Sequence, residues 1–213
     1  MTSTMTGANK TRALVLIADG TEEMEAVITI DVLVRAGIEV TIANTNPSES
    51  SAESIKCSRG VRIVPDTHLS ALPLPTPADP DTSFYYDVLM IPGGGPGAQT
   101  MAASTLVHQW VQAHYSKPGV LLAAVCAGPT VLKAAGVAKG AQVTSHPSVR
   151  DQLKDYFEYR DDVKGNEIVV KDEKAQLLTS RGPGSTFELA LKIVEELKGK
   201  EVMESVRAPM MFP

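Results

Sequence analysis

The sequence predicts an α/β fold: a single flavodoxin-like domain in which a doubly wound, mostly parallel sheet lies between helices. Short apolar runs of strand length alternate with helical stretches along residues 12–209. The runs are nearly continuous in apolar residues, which is typical of parallel strands that are buried on both faces. A chain of 213 residues can enclose one sizeable core, and no internal repeat or linker divides it.

The alternation of strand and helix is clearest in two places. Near the start, residues 13–18 and 38–43 are predicted as strands on either side of a helix over residues 22–36. The same order returns in the middle of the chain, where residues 87–91, 103–115, 120–125 and 129–135 are predicted as strand, helix, strand and helix. Strands connected by helices in this way build doubly wound sheets.

A last long helix is predicted near the carboxyl terminus. Ser185-Thr186-Phe187-Glu188 has the pattern of a capping box, in which the serine and glutamate side chains satisfy the free N–H groups of the first turn. One apolar stripe follows it and is expected to close the core, formed by Phe187, Ala190, Leu191, Val194 and Leu197.

Two segments are predicted to lie outside the packed elements. Residues 1–11 are polar and lack both the apolar core of a signal peptide and the arginines of a transit peptide, so we expect a disordered tail. Residues 72–82 are rich in proline, which is unfavourable in a helix and in a central strand. We interpret them as a surface loop within the domain that spans residues 12–209.

Composition excludes several classes of protein. A net charge of −5 without a basic stripe argues against a nucleic-acid-binding surface. The longest apolar stretches have strand length, so we expect no membrane span. Two cysteines, Cys57 and Cys126, are too few for a disulfide framework and indicate a reducing compartment. We therefore expect a cytoplasmic protein, with the nucleus as an additional location.

Cys126 is the leading candidate for a reactive residue. It lies where the apolar run of residues 121–125 ends and a helical pattern begins after Gly128-Pro129. A thiol at this junction is close to the positive end of the helix dipole, which favours the thiolate. Its small neighbours suit a sharp turn with an unusual φ. The alternative is that Cys126 is buried as a small apolar residue, as most free cysteines are.

An acid near Cys126 has to come from another part of the fold. Residues 88–150 contain no Asp or Glu, although the chain has 25 acidic residues. The first predicted helix offers Glu22, Glu23 and Glu25. Acids in a first helical turn ordinarily complement the helix dipole, which accounts for Glu22 and Glu23. Glu25 lies among apolar residues, where burial would raise the pKa of its carboxyl group and suit it to carry a proton.

A glycine-rich loop follows the strand at residues 87–91. It reads Pro92-Gly93-Gly94-Gly95-Pro96-Gly97-Ala98 and leaves backbone N–H groups unobstructed by side chains. Gly93, Gly95 and Ala98 formally match a dinucleotide-binding fingerprint, but the acidic residue expected some twenty residues later is absent. An oxyanion hole is the interpretation that we prefer.

His146 is a further candidate functional residue, after Cys126, Glu25 and the glycine-rich loop. It follows the predicted strand over residues 141–145 and precedes Pro147, which favours an extended conformation before it. The other histidines, His68, His108 and His114, lack such a placement, and a solvated helix face accounts for the last two. With Cys126 one strand earlier, His146 is a candidate functional residue.

Together these segments resemble the DJ-1/PfpI superfamily, and within it the Parkinson disease protein 7 branch of glutathione-independent glyoxalases. The resemblance covers residues 12–209. The segments that carry it are Arg12-Ala13-Leu14-Val15, Gly20-Thr21-Glu22-Glu23-Met24-Glu25, Pro92-Gly93-Gly94, Val125-Cys126-Ala127-Gly128-Pro129, Thr144-Ser145-His146-Pro147 and Thr179-Ser180-Arg181-Gly182-Pro183-Gly184.

The resemblance implies roles for individual residues. Cys126 matches the family's nucleophile, Glu25 its acid/base group and His146 its site histidine. The substrate-binding and oxyanion positions fall on Gly93, Gly94 and Ala127. The family forms a homodimer through its first helix, and Arg35, Arg59 and Pro209 match positions that lie at or near the partner's site.

Some positions differ from the family pattern and from its other branches. Gly95 replaces a common asparagine of the pocket, and Val64 replaces a second, redox-sensitive cysteine; Cys57 matches an interface cysteine instead. Amidotransferase relatives have a glutamate where Ser148 stands, and protease-like relatives have a histidine at the position of Ala127. The cysteine–glutamate branch therefore fits best.

The resemblance implies conversion of a small 2-oxoaldehyde such as methylglyoxal into a 2-hydroxy acid, with no metal, glutathione or other cofactor. Glyoxal would similarly give glycolate. One alternative keeps the site but makes the protein a deglycase that removes early glyoxal adducts from protein or nucleotide amines. Another makes it a redox sensor or stress chaperone in which Cys126 is oxidised to a sulfinate beside Glu25.

Overall fold

The protein is a three-layer α/β domain, which confirms the predicted fold class. The computed structural model describes residues 10–47, 54–76, 84–162 and 168–212. Its strands are β1 Arg12–Ile17, β2 Glu39–Asn44, β3 Ile55–Lys56, β4 Arg62–Ile63, β5 Thr67–His68, β6 Val88–Ile91, β7 Leu121–Val125, β8 Gln142–Val143, β9 Glu158–Tyr159, β10 Val169–Asp172 and β11 Leu177–Ser180. Its helices are α1 Glu23–Arg35, α2 Gly95–Ala103, α3 Thr105–Tyr115, α4 Pro129–Ala134, α5 Arg150–Leu153, α6 Thr186–Lys198 and α7 Lys200–Arg207.

A seven-stranded sheet forms the middle layer, in the order β10-β11-β7-β6-β1-β2-β5. All neighbouring pairs are parallel except β10 and β11, which are antiparallel. The chain adds strands on one side of β1 first and on the other side afterwards, so the switch in direction lies between β1 and β6. Ligand sites in such sheets form at the carboxyl ends of the strands beside this switch.

The two faces of the sheet bury separate cores. One core joins β1, β6 and β7 to α2, α3 and α4 and includes Leu14, Leu89, Trp110 and Leu132. The other packs the opposite strand residues against α1 and α6 and includes Val15, Leu33, Val88 and Val194. Burial of both strand faces explains the continuous apolar runs in the sequence.

Several predicted boundaries need correction. Helix α2 begins at Gly95, inside the segment that was expected to be an open loop, because proline is tolerated in the first turn of a helix and Gly94 adopts φ +85° before it. The strand expected over residues 141–145 is reduced to β8, which pairs with β9 in a separate small sheet. In the proline-rich segment, residues 72–76 have no helix or strand. The rest of that loop and residues 1–9 of the expected tail lie outside the described residues, and the predicted domain limits stay a prediction.

The capping box at α6 is not formed. Ser185 precedes the helix, but its hydroxyl makes no capping bond to the helix. It accepts hydrogen bonds from the N–H groups of Arg181 and Gly182, at 3.0 Å each, and donates to the Gly182 carbonyl. The hydroxyl is thus turned back into the preceding turn. The apolar stripe of α6 is confirmed, since its residues pack in the second core.

His114 is a buried core residue, which corrects the expectation of a solvated face. It has no exposed surface and stacks on Trp110, with ring centroids 5.5 Å apart. Its Nε2 accepts a hydrogen bond from the Tyr86 N–H, and Nδ1 lies 2.9 Å from the Trp110 carbonyl. The ring is therefore neutral with its proton on Nδ1. Burial lowers the pKa of His114 to about 4 from the ordinary 6.5, against the hydrogen bond to Trp110, which raises it.

His114 predicts a loss of stability in acid. The unfolded chain takes up a proton near pH 6.5 and the native ring only near pH 4, so the free energy of unfolding falls between these values as the pH is lowered. The loss is expected to reach about 3 kcal/mol. Urea unfolding at pH 7 and pH 4 measures it. His114→Gln should flatten this dependence and His108→Gln should retain it; an unchanged slope in His114→Gln would contradict the assignment.

Candidate active site

Cys126 lies in a tight turn between β7 and α4. Its φ is +60°, a left-handed conformation that non-glycine residues seldom adopt. The Cys126 N–H donates to the Ser180 carbonyl at 3.1 Å, and its carbonyl accepts from the His146 N–H at 3.0 Å. A Cβ on Gly128 would collide with the carbonyls of Ile91 and Val125. The expected sharp turn with an unusual φ is therefore confirmed, and its neighbours leave no room for bulk.

Glu25 reaches this turn from the first turn of α1. The Glu22 side chain caps the helix by accepting from the Glu25 N–H at 2.9 Å. The Glu25 side chain has no exposed surface, and its Oε2 accepts from the Gly93 N–H at 2.6 Å. Its Oε1 has no hydrogen-bond partner among the described residues. A Cβ built on Gly93 would collide with both Glu25 Oε2 and the Cys126 Cβ, so an acid remote in sequence lies beside the thiol, as the acid-free stretch over residues 88–150 required.

The backbone donors around the sulfur differ from those expected. The N–H groups of Gly94 and Ala127 lie close enough to the Cys126 side chain to lower the pKa of its thiol. The Gly93 N–H is occupied by Glu25 and is unavailable for a substrate oxygen in this arrangement. The pair of donors beside the thiol is therefore Gly94 and Ala127, and Gly93 instead fixes the carboxyl group.

Glu25 and Cys126 are both shifted towards their protonated, uncharged forms. Burial raises the pKa of Glu25 to about 7, against hydrogen bonds from Gly93 and Cys126 that lower it. Burial and the Glu25 carboxylate raise the pKa of the Cys126 thiol to about 12, against the N–H groups of Gly94 and Ala127. The thiolate expected from the helix dipole is thus disfavoured while Glu25 is ionised. Protonation of Glu25 near neutral pH removes that repulsion, so the ionisation of each group opposes that of the other.

His146 is tied to the Cys126 turn through its backbone. It is exposed, and its N–H donates to the Cys126 carbonyl at 3.0 Å. Its ring is held at Nδ1, which lies 2.8 Å from the Ser148 hydroxyl and accepts from the Ser148 N–H at 3.2 Å. His146 comes from the loop after β8, in the small β8–β9 sheet, rather than from a main-sheet strand. Its place near Cys126 results from the backbone contact.

The residues assigned to a partner chain lie on the surface. Arg35 ends α1 and pairs with Asp31 at 2.7 Å, with both side chains about half exposed. Arg59 and Pro209 are also exposed. Within the described part of one chain, none of these three residues contacts Cys126. Their contribution to a partner's site stays a prediction.

Glu23 has a structural function that the sequence did not reveal. It is buried, its Oε1 accepts from the Arg59 N–H at 2.7 Å, and its Oε2 accepts from the Ser58 hydroxyl at 2.8 Å. It thereby holds the loop that carries Arg59 against α1. No sequence signal links Glu23 to residues 35 positions later, whereas its place in a first helical turn suggested only a dipole effect.

Within the described ranges, no cluster of three or more His, Cys, Asp or Glu side chains is arranged to hold a metal ion. In the same ranges, no helix combines the length and apolarity needed to cross a membrane. The groups beside the thiol are backbone N–H donors and one carboxyl group, and a histidine follows on a loop bonded to the same turn. Such a set can add a thiol to a carbonyl carbon and move protons around it.

A doubly wound sheet with a cysteine on a strained turn at its carboxyl edge, and a buried glutamate beside the thiol, defines a class of cysteine-dependent α/β proteins. The comparisons agree with this class. The DJ-1/PfpI family model matches residues 11–196. The chain belongs to the DJ-1/PfpI family, as its motifs indicated.

Relatives match over nearly their full lengths. The chain is 46% identical to protein dj-1beta of Drosophila melanogaster, covering 91% of this chain and 93% of that protein. It is 32% identical to the glutathione-independent glyoxalase DJ-1 of Schizosaccharomyces pombe, covering 95% and 99%. The crystal structure of Drosophila melanogaster DJ-1beta superposes with a TM-score of 0.83 at 44% identity, covering 96% of this chain and 99% of that one.

Gly93 provides a steric test of the site. A Cβ at Gly93 would lie 2.6 Å from the Cys126 Cβ and 2.8 Å from Glu25 Oε2, whereas a Cβ at Gly95 would meet nothing within 4 Å. Gly93→Ala should therefore displace the thiol and the carboxyl group and destabilise the fold by about 1–3 kcal/mol. Gly95→Ala is the matched control. Thermal melting and the rate of Cys126 alkylation measure both effects; equal behaviour of the two variants would disprove this geometry.

Proposed function

We propose that the protein is a glutathione-independent glyoxalase that converts methylglyoxal to lactate, and glyoxal to glycolate, through a covalent adduct on Cys126. The observation that carries this proposal is the position of one buried carboxyl group, Glu25, which accepts a hydrogen bond from the Gly93 N–H and lies beside Cys126. The Schizosaccharomyces pombe relative, a glutathione-independent glyoxalase, supports the same reaction class.

The first step is addition of the sulfur to the aldehyde. The Glu25 carboxylate takes up the proton of the Cys126 thiol, and the resulting thiolate attacks the aldehyde carbon. A carbon–sulfur bond forms, and the carbonyl π electrons move to oxygen. The N–H groups of Gly94 and Ala127, which already approach the sulfur, are the donors placed to stabilise this oxyanion.

The second step is an internal redox change. The hemithioacetal oxygen takes the proton held by Glu25, and the resulting carboxylate then removes hydrogen from the former aldehyde carbon as H⁺, which leaves an enediolate. Return of that proton to the neighbouring carbon, with transfer of the hydroxyl proton from the first oxygen to the second, gives a thioester of the 2-hydroxy acid. One carbon is oxidised and the other reduced, so no external oxidant or reductant is needed. Water then cleaves the thioester and regenerates the thiol.

Glu25 suits this task because burial brings the pKa of its carboxyl group to about 7. A group of that pKa gains and loses protons with similar ease at neutral pH. His146, whose backbone N–H donates to the Cys126 carbonyl, assists the substrate oxygens. Each proposed chemical group therefore comes from a separate element: α1, the turn after β7, and the loop after β8.

The proposal predicts separate effects of two substitutions. Cys126→Ala should abolish lactate formation from methylglyoxal, because no adduct can form. Glu25→Gln should lower turnover by at least about 100-fold, because the amide cannot carry the proton. The Gln side chain still offers an acceptor for Gly93, so iodoacetamide should continue to label Cys126. Methylglyoxal consumption, lactate quantification and mass spectrometry measure these outcomes.

The same assay separates the alternatives. Lactate production that survives in Cys126→Ala would rule the mechanism out. A direct deglycase would repair glycated amines even when a rapid methylglyoxal scavenger is present, whereas a glyoxalase would not. A protein that only senses oxidants would show peroxide oxidation of Cys126 without lactate formation.

We further propose that the protein is a homodimer that associates through α1. Met24, Val27 and Val34 on this helix are 50%, 47% and 56% exposed, which is unusual for apolar residues on one helix of a monomer. The buried residues of the same helix, including Ala26 and Leu33, pack on the sheet. The partner would then bring Arg35, Arg59 and Pro209 towards the site.

Charges on the exposed face of α1 should dissociate the dimer. Val27→Lys combined with Val34→Lys should raise the dissociation constant by about tenfold or more, since the lysines would have to be buried without partners. Tyr115→Lys is the matched control, because α3 packs on the opposite face of the sheet. Sedimentation equilibrium measures the dissociation constant. An unchanged constant in the double variant would exclude α1 as the interface.

A further inference from the structure

We propose that Ser148 is a positioning residue that holds His146 as its Nε2–H tautomer, so that His146 donates a hydrogen bond to the substrate and Glu25 alone moves the protons. This inference rests on the proposed glyoxalase function and assigns the division of work between the two groups. The proposal rests on the surroundings of the two imidazole nitrogens of His146. A second histidine in the same molecule, His68, provides a comparison.

The Nδ1 atom of His146 is an acceptor. The Ser148 N–H, which can only donate, points to it at 3.2 Å. The Ser148 hydroxyl lies 2.8 Å from the same nitrogen. A neutral imidazole that accepts at Nδ1 carries its proton on Nε2, so the hydroxyl also donates. Two donors from one residue therefore select one tautomer.

The chain around His146 makes this arrangement local and reproducible. Pro147 starts the short turn Pro147–Val149, where its fixed φ is favourable and its missing N–H is not needed. The Ser148 N–H is a free donor of that turn, and the His146 ring satisfies it as a capping side chain would. The histidine backbone is fixed in turn by the bond from its N–H to the Cys126 carbonyl.

A second histidine in the molecule repeats the motif with a different outcome. In His68-Leu69-Ser70, Nδ1 lies 2.7 Å from the Ser70 hydroxyl and 3.2 Å from the Ser70 N–H, as in the first turn. There, Nε2 is 2.8 Å from the Asn46 carbonyl and the ring is buried, so the proton on Nε2 forms a hydrogen bond inside the fold.

At His146, no part of the chain that the structure describes provides a partner for Nε2; the residue is exposed, and its backbone N–H donates to the Cys126 carbonyl. The same type of turn thus occurs at both histidines. At His68 both ring nitrogens have partners, whereas at His146 the Nε2–H has none among the described residues. A donor at this position can hydrogen bond to the ketone oxygen of a 2-oxoaldehyde and favour the enediol. It cannot act as a base at Nε2 until the tautomer changes.

Nuclear magnetic resonance of ¹⁵N-histidine-labelled full-length protein tests the tautomer without reference to turnover. Wild type and Ser148→Thr should show His146 protonated at Nε2. Ser148→Ala should show a mixed population, and Ser148→Glu should move the proton to Nδ1, where a carboxylate accepts it. A wild-type ring protonated at Nδ1 would overturn the proposal, whether or not methylglyoxal is turned over.

Kinetics with methylglyoxal test the role. Ser148→Ala should lower kcat by about fivefold, the effect of one lost hydrogen bond, with a smaller change in KM. Ser148→Thr should have a kcat close to that of the wild type, and Ser148→Glu should have a lower kcat than Ser148→Ala. The matched control Ser70→Ala removes the same bond at His68 and should leave kcat unchanged.

A double-mutant cycle separates positioning from general stability. If Ser148 acts through the imidazole, Ser148→Ala should have no further effect on kcat in a His146→Ala background. Additive losses, or a Ser148→Glu variant as active as wild type, would refute the proposal. Absence of turnover in the wild type would count against the glyoxalase function, while the spectra would still decide the tautomer.

Discussion

The site is organised by the hydrogen bond from the Gly93 N–H to the buried carboxyl group of Glu25. This 2.6 Å contact joins α1 to the loop after β6, and the same carboxyl group lies beside Cys126 after β7. Loss of either partner would leave a polar group buried without a hydrogen bond, which is strongly unfavourable. The positions of the helix, the loop and the thiol are therefore coupled through one side chain.

This coupling also concerns the proposed dimer. The helix that inserts Glu25 into the site exposes Met24, Val27 and Val34 on its other side. Its first turn further holds the loop that carries Arg59, through Glu23. A partner that packs on α1 would restrict the helix whose buried face positions the carboxyl group. In the proposed dimer, assembly and the geometry of Glu25 would thus be linked by a single element.

Sequence patterns predicted the parts that depend on burial. Continuous apolar runs located β1, β6 and β7 to within about one residue, because strands buried on both faces accept little else. The absence of acids over residues 88–150 pointed to Glu25, since a carboxyl group near Cys126 then had to come from a distant element. These inferences rest on periodicity and charge, which a sequence records directly.

Patterns failed where the orientation of a polar atom decides the outcome. Ser185 fits a capping box in sequence, yet its hydroxyl binds the N–H groups of the preceding turn. Gly93 resembled an oxyanion donor, yet its N–H is held by Glu25. His68 and His146 have the same His-x-Ser pattern and the same bonds at Nδ1, and they differ at Nε2, where His68 meets the Asn46 carbonyl. A local motif fixes the tautomer in both; the surrounding fold decides whether the remaining N–H is structural or available to a substrate.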